Sequence, residues 1–281
     1  MKIKTITCQR AINHGANLQA YALMRYLESL GNDVEIIDYY PDWFKPFRPF
    51  YCGTEKYAKN PVLKVAYIFA KFPGRVKEYI KYKKSLRKAN FEIFRDKYYK
   101  LTDTYCSFEE LKANPPKADL YIAGSDQIWN IMMNNGKDPA YYLQFAPKET
   151  TTATYAASFS VSEIPDELKK QIKSYIESID YISVREKTAI KILEDLGVER
   201  GQVVLDPVFL LNKEQWDKVV SDKVFSEKYV LVYDFENSDI VKSFAKQYAK
   251  KNNVKIYSLY KNDYCDKCFE DYGPDVFLSL I

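Results

Sequence analysis

The chain has 281 residues and a mass of 32.9 kDa, enough for one large or two ordinary domains, and its 47% apolar and 28% charged residues supply a buried core and leave little room for long disorder. No run of ~20 apolar residues occurs, and the opening Met1-Lys2-Ile3-Lys4-Thr5 lacks the apolar stretch of a secretion signal, which excludes a membrane-spanning helix and predicts a cytoplasmic setting. Net charge is only +4, the single histidine rules out a His-rich metal centre, and five irregularly spaced cysteines read as free thiols rather than a disulfide scaffold.

Residues 3–8 predict a strand and residues 9–15 a polar loop, after which Ala16, Ala20, Leu23, Leu27 and Leu30 recur at helical spacing until Gly31 stops the helix. Residues 34–39 predict a second strand, completing a β-α-β opening of the kind that builds a parallel sheet covered by helices. Pro41, Pro46 and Pro49 then lead into a basic aromatic stretch. Between Lys45 and Lys100, 16 Lys and Arg stand against 4 Asp and Glu, a net +12 against −8 for the rest of the chain. Phe47, Phe50, Tyr51, Tyr57, Tyr67, Phe69, Phe72, Tyr79 and Tyr82 are interleaved with the lysines. This stretch predicts two or more helices over about 62–99, as an insertion. Its charge suits nucleic acid, anionic lipid or an acidic glycan. No nucleic-acid motif supports the first, and the plainer reading is a solvated helical face whose aromatics pack inward.

Residues 119–123 and 151–157 predict further strands. Leu168, Ile172, Ile176 and Ile179 mark a helix face, residues 181–184 a strand, Ala189, Leu193 and Leu196 another helix ended by Gly197, and residues 203–205 a last strand. The first domain is thus expected to be a doubly wound α/β unit over 1–210, with the basic insertion at about 43–100. A second β-α-β unit follows over 211–281, with strands at 229–233 and 254–259 around a helix near 239–250. A final helix begins after Gly273-Pro274-Asp275, with Phe277, Leu278 and Ile281 as its apolar positions. Two strands and one complete helix are too little to bury both faces of a sheet, so this second domain is expected to be truncated.

Ligands of such sheets bind beyond the carboxyl ends of the strands. Those ends carry Asn13-His14-Gly15-Ala16, Gly124-Ser125-Asp126-Gln127, Ser158-Phe159-Ser160 and Arg185-Glu186. Gly15 and Ala16 open a helix directly after a strand, where unsatisfied backbone N–H groups receive a phosphate or carboxylate; the alternative is that Asn13 simply caps the helix. His14 is either a positioning group or a catalyst facing the same cleft. Gly124, Ser125, Asp126 and Gln127 combine a flexible backbone with polar groups suited to a polar ligand, although Ser125 or Asp126 also suits a helix N-cap. Trp129 reads as packing, and Ser158 adds a polar group at a strand end. Arg185 suits paired hydrogen bonds to a carboxylate or phosphate, or else an internal salt bridge with Glu186 or Asp180. Cys265-Asp266-Lys267-Cys268 lacks the second pair that a zinc site needs, and Asp206-Pro207 reads as a strand end leading into the interdomain link.

Taken in order, five stretches resemble the polysaccharide pyruvyl transferase family: Asn13 to Leu23, Gly124-Ser125-Asp126-Gln127-Ile128-Trp129-Asn130, Ala157-Ser158-Phe159, Ser183-Val184-Arg185-Glu186-Lys187, and Leu205 to Leu211. The Gly-Ser-Asp-Gln-x-Trp-Asn stretch is the most specific. The resemblance implies two Rossmann-like domains in a GT-B-like arrangement. It also implies transfer of a pyruvyl group from phosphoenolpyruvate to two hydroxyls of a sugar, giving a cyclic ketal and phosphate. That chemistry needs anion binding, an acid and a base, and it demands neither a metal nor a cofactor. On this resemblance His14 and Asp126 are the catalytic candidates, and Arg185, Gly15 and Ala16 bind the donor. Asn13, Gly124, Ser125, Gln127 and Ser158 then contact substrate. The implied acceptor is a glycan or lipid-linked oligosaccharide of a cell-surface polysaccharide; no nucleic-acid partner is expected, and if the acceptor is carried on a lipid, the basic stretch is the surface for peripheral association at the inner membrane face. Family members continue into a Ser-Phe-His-Gly type motif that is absent here, which again implies a truncated chain. The competing readings are a GT-B glycosyltransferase using a nucleotide sugar and a catalytically incomplete binding module.

Overall fold

The computed structural model describes residues 1–45, 47, 60–222 and 225–281. Phe50, Tyr51, Tyr57, Cys52 and the Pro46 and Pro49 breaks lie outside the described residues. The fold is mixed α/β, with two compact units: Met1–Lys84 with Tyr99–Leu211, and Ser85–Tyr98 with Asn212–Ile281.

The first unit is built on five parallel strands, β1 (Lys2–Ile6), β2 (Asp33–Tyr39), β3 (Leu101–Tyr105), β4 (Leu120–Ala123) and β5 (Thr151–Thr154), in the order β3-β2-β1-β4-β5. Ile3 pairs with Val34 on one side and Leu120 on the other, so β1 is the central strand at which the winding reverses. Ile3, Ile6, Val34, Ile36, Tyr121 and Ala123 are buried, as expected for strands covered on both faces. Strand β3 was not foreseen in the sequence. It is an edge strand, and only Tyr105 of Leu-Thr-Asp-Thr-Tyr is buried, so it carries almost no hydrophobic signal.

Helix α1 (His14–Ser29) starts where Asn13 Oδ1 accepts from Ala16 N–H at 3.0 Å and stops at Gly31, whose φ of 83° favours glycine. Its first half is buried all round, from Ala16 to Met24, because a short 3₁₀ turn, Pro207–Leu210, packs on it opposite the sheet; Leu30, read as the end of a buried face, is exposed. Strand β5 is shorter than expected because Ala156 takes a φ of 54° and ends the extended run. Isolated parallel bridges, Ala153 to Tyr181 and Ala157 to Val184, carry the ladder on toward β6 (Ser183–Val184), which pairs with β7 (Gln202–Val203).

The basic stretch forms α2 (Pro61–Lys83) and α3 (Leu86–Tyr98). Helix α2 fully buries none of its residues: Tyr67, Tyr79 and Tyr82 are half-buried, and the expectation of inward-packing aromatics is overturned for Phe69 and Phe72, which are exposed. Helix α3 belongs to the second unit, where Asn90 Nδ2 donates to Asp271 O at 2.7 Å and Phe91 and Phe94 are buried. The first unit also holds α4 (Phe108–Ala113), α5 (Asp166–Glu177) and α6 (Lys187–Asp195), and the Asn212–Ile281 segment of the second unit begins with the short α7 (Lys213–Trp216).

The second unit contains β8 (Tyr229–Val232), α8 (Asp239–Asn252), β9 (Lys255–Ser258), β10 (Lys267–Cys268) and α9 (Pro274–Leu280), with parallel order β10-β9-β8. The expectation of two strands is corrected to three. Val232, Ala245, Ala249, Ile256 and Tyr264 form one cluster, and Tyr257, Leu259, Phe269, Val276 and Leu280 form another. The buried positions of α9 are therefore Pro274, Val276 and Leu280, whereas Phe277 and Leu278 are half-buried and Ile281 is exposed.

Candidate active site

The carboxyl ends of β1 and β4 diverge where strand order reverses, which opens a crevice outside the sheet. Two backbone-level ties hold the crevice walls together. Gly124 N–H donates to Ile6 O at 2.8 Å and Thr7 Oγ1 donates to Ser125 O at 2.8 Å, while Gln19 Nε2 reaches Thr7 Oγ1 from α1. A Cβ on Gly124 would lie 3.3 Å from Thr7 Cβ, so glycine there allows the close approach.

A cavity of about 620 Å³ occupies this position, lined by Cys8, Ala11, Asn13, Trp43, Phe44, Asp126, Gln127 and the segment Met132 to Asn135. Its wall offers amide side chains, two aromatic rings and one carboxyl group, the mixture that recognises a polar ligand with an apolar face. Trp43 is held by its Nε1, which donates to Asp138 Oδ2 at 2.8 Å; Tyr39 OH donates to the same oxygen at 2.8 Å. Gln127 is fixed through its own Oε1, which accepts from Asn130 Nδ2 at 2.9 Å, and through its carbonyl, which accepts from Asn135 Nδ2.

Asp126 sits at φ 76°, a left-handed conformation that Asp tolerates better than most residues. Burial raises its carboxyl above the ordinary range, opposed by the Gln127 N–H and the positive charge of Arg185 and reinforced by Asp206. Burial likewise drives the Cys8 thiol far up, with Asp126 adding to the shift, which keeps it protonated and unreactive.

Beside Asp126, Ser125 Oγ donates to Asp206 Oδ2 at 3.1 Å and Arg185 Nη1 donates to the same oxygen at 3.1 Å. Asp206 Oδ1 accepts from Val208 N–H, so Asp206 caps the 3₁₀ turn that packs on α1. Arg185 thus pairs with Asp206 and, through Nε at 3.9 Å, with Glu186, one of the two partners foreseen; the other, Asp180, instead accepts from Thr152. Glu186 Oε1 accepts from Ser158 Oγ and from Phe159 N–H.

The structure brings Asn13, Asp126 and Gln127 into the cavity wall and places Gly124 and Ser125 directly behind it. His14 is 2% exposed, at the start of α1, and is not among the residues that line the cavity. Ala16 is corrected as an anion-binding amide, because Asn13 takes its N–H. Gly15 is exposed at the helix start, and Ser158 is buried against Glu186. Trp129 is fully buried, stacked on Tyr142 at 5.4 Å, with Nε1 donating to Tyr141 O. Sequence reasoning missed Trp43, Phe44, Met132, Met133, Asn134 and Asn135 as wall residues; the Met-Met-Asn-Asn run after Trp129 was the available signal. Among the described residues no cluster of His, Cys, Asp and Glu is arranged to hold a metal ion, and Cys8, Cys106, Cys265 and Cys268 are free thiols.

The family model for polysaccharide pyruvyl transferase matches residues 13–281, nearly the whole chain, and the chain belongs to that family. It is a transferase enzyme of that kind. Among curated proteins none matches it.

Proposed function

We propose that this transferase takes its pyruvyl group from phosphoenolpyruvate and closes a cyclic ketal on two hydroxyls of a sugar in a cell-surface polysaccharide precursor, free or lipid-linked. The GT-B-like organisation implied by the resemblance belongs to the same proposal. The observation that carries it is Asp126: a carboxyl raised by burial, in the wall of a cavity at the switch point, between amides and aromatic rings.

A carboxyl raised by burial keeps its proton to higher pH than an ordinary carboxyl, and in this reading it donates that proton to the methylene carbon of the donor. Positive character develops at the neighbouring carbon, where the first sugar hydroxyl oxygen bonds; its proton passes to the Asp126 carboxylate just formed. The second hydroxyl oxygen then bonds the same carbon, loses its proton to solvent, and phosphate leaves with the electrons of its C–O bond. The acceptor sugar fits the cavity, with Trp43 and Phe44 available for its apolar face and Asn13 and Gln127 for its hydroxyls. Arg185, part-exposed and oriented by Asp206, is the donor-binding cation in this reading, joined by the exposed amide of Gly15. His14 keeps a positioning role at the start of α1.

Phosphoenolpyruvate and a set of nucleotide sugars, each added to the protein during thermal unfolding, test the donor. A rise in melting temperature with phosphoenolpyruvate alone is expected, and Arg185→Ala should weaken its binding by ~1.5–3 kcal/mol. Stabilisation by a nucleotide sugar and not by phosphoenolpyruvate would refute the reading.

A further inference from the structure

Helix α2 is the exception in the first unit. It spans 23 residues and buries none of them, whereas every other described helix longer than eight residues buries at least two. It is nonetheless amphipathic. Val62, Val65, Phe69, Phe72, Val76 and Ile80 recur at helical spacing and form one stripe. Val62 and Phe69 are 76% and 75% exposed, and Val65, Phe72 and Ile80 are exposed too. Val76 within the stripe is half-buried, as are Ile68 and Tyr79 beside it and Tyr67 and Tyr82 further round; Phe47 stacks on Tyr79 at 4.6 Å, and Arg75 lies over Tyr67. Five of the six stripe positions are thus exposed, the reverse of what a solvated surface helix does.

Charge identifies what covers it. The helix carries Lys64, Lys71, Arg75, Lys77, Lys81 and Lys83 against the single acid Glu78. A second copy of the same helix would bring like charges together, and nucleic acid would leave the apolar stripe in water. An anionic bilayer answers both features, because its headgroups attract the lysines while its acyl boundary takes Phe69 and Phe72. Among the described residues no helix is long and apolar enough to cross a membrane, so the geometry is that of a helix lying in the interface. We infer that α2 seats this enzyme on an anionic membrane surface. The inference does not depend on the donor or on the ketal product.

Co-sedimentation of the full chain with phosphatidylcholine vesicles, with or without phosphatidylglycerol, tests it. Binding to the anionic vesicles only, reversed by high salt, is expected. Phe69→Ser, and separately Lys77→Glu with Lys81→Glu, should each lower the partition constant about tenfold or more. All three positions are exposed, so unfolding temperature and phosphate release with a soluble acceptor should be unchanged. Equal sedimentation with both vesicle types, sedimentation with neither, or self-association that Phe69→Ser abolishes without any vesicle binding would each overturn the inference.

Discussion

Replacing Asp206 by alanine removes three hydrogen bonds at once, and their environments allow the cost to be apportioned. Ser125 is fully buried, so its hydroxyl loses its acceptor at a cost of ~1–2 kcal/mol. The Val208 N–H loses its cap, about 1 kcal/mol, and the part-exposed pair with Arg185 contributes about 0.5 kcal/mol. A total near ~3 kcal/mol corresponds, for a unit of this size, to a melting temperature lower by roughly 6–12 °C. Asp206→Asn keeps one neutral acceptor, which can still cap Val208 N–H, and turns an amide NH2 toward Ser125 Oγ, which can accept from it, so it should cost less than alanine, about 1 kcal/mol. Urea unfolding of both variants, with the slope unchanged, measures the difference. In the Ser125→Ala background the Asp206→Ala loss should shrink by about 1 kcal/mol, since no hydroxyl remains to be stranded. Equal small losses for the two Asp206 variants would show that the network contributes little and that Arg185 is not oriented through it.

Asp126→Asn should stabilise the protein at neutral pH and reduce phosphate release about 100-fold or more. The raised folded value means that the native state holds this proton more tightly than the unfolded chain, so stability is lost as pH rises from 3.8 through that raised value, and the advantage of Asn should vanish in urea titrations below 3.8. Gly136→Ala should cost about 3 kcal/mol or more, because its Cβ would sit 2.2 Å from the Asn130 backbone, whereas Gly15→Ala, with Asn13 Oδ1 at 3.4 Å, should be nearly neutral in thermal unfolding. Trp129→Ala should cost ~3–5 kcal/mol by the same measurement, and Trp129→Phe clearly less.

What the sequence made legible follows from how many residues each signal uses. The β-α-β opening, the stops at Gly31 and Gly197 and the helix bearing Ile172 and Ile176 each rest on several periodic positions, and both glycines do adopt positive φ. Strands β3 and β10 rest on one buried residue and on two backbone pairings, too little for any periodicity to reveal. The aromatics of α2 mislead for a different reason. Periodicity shows that a face is apolar, not which way that face points, and here it points to solvent.

The same limit governs the site. Asn13, Asp126 and Gln127 follow strands and were legible as strand-end polar residues. Trp43, Phe44 and Asn134 reach the cavity from loops whose position depends on Asp138 and Asn130, partners far from them in sequence or invisible to spacing. Asp206 looked like a linker because its role is to join Ser125 and Arg185 across 81 and 21 residues of chain.

Asp126 itself supplies the physical reason to regard this wall as functional. At Gly31 and Gly197 the chain meets a positive φ with glycine, which carries no Cβ penalty. At position 126 the chain meets a φ of 76° with an aspartate, and then buries the carboxyl enough to raise it. Glycine or asparagine would hold that turn without the desolvation cost, which the Gln127 N–H and Arg185 offset only in part. In the proposed mechanism that cost is accounted for by what the carboxyl does to a ligand. The Asp126→Asn variant separates the two contributions, because stability and turnover are expected to move in opposite directions.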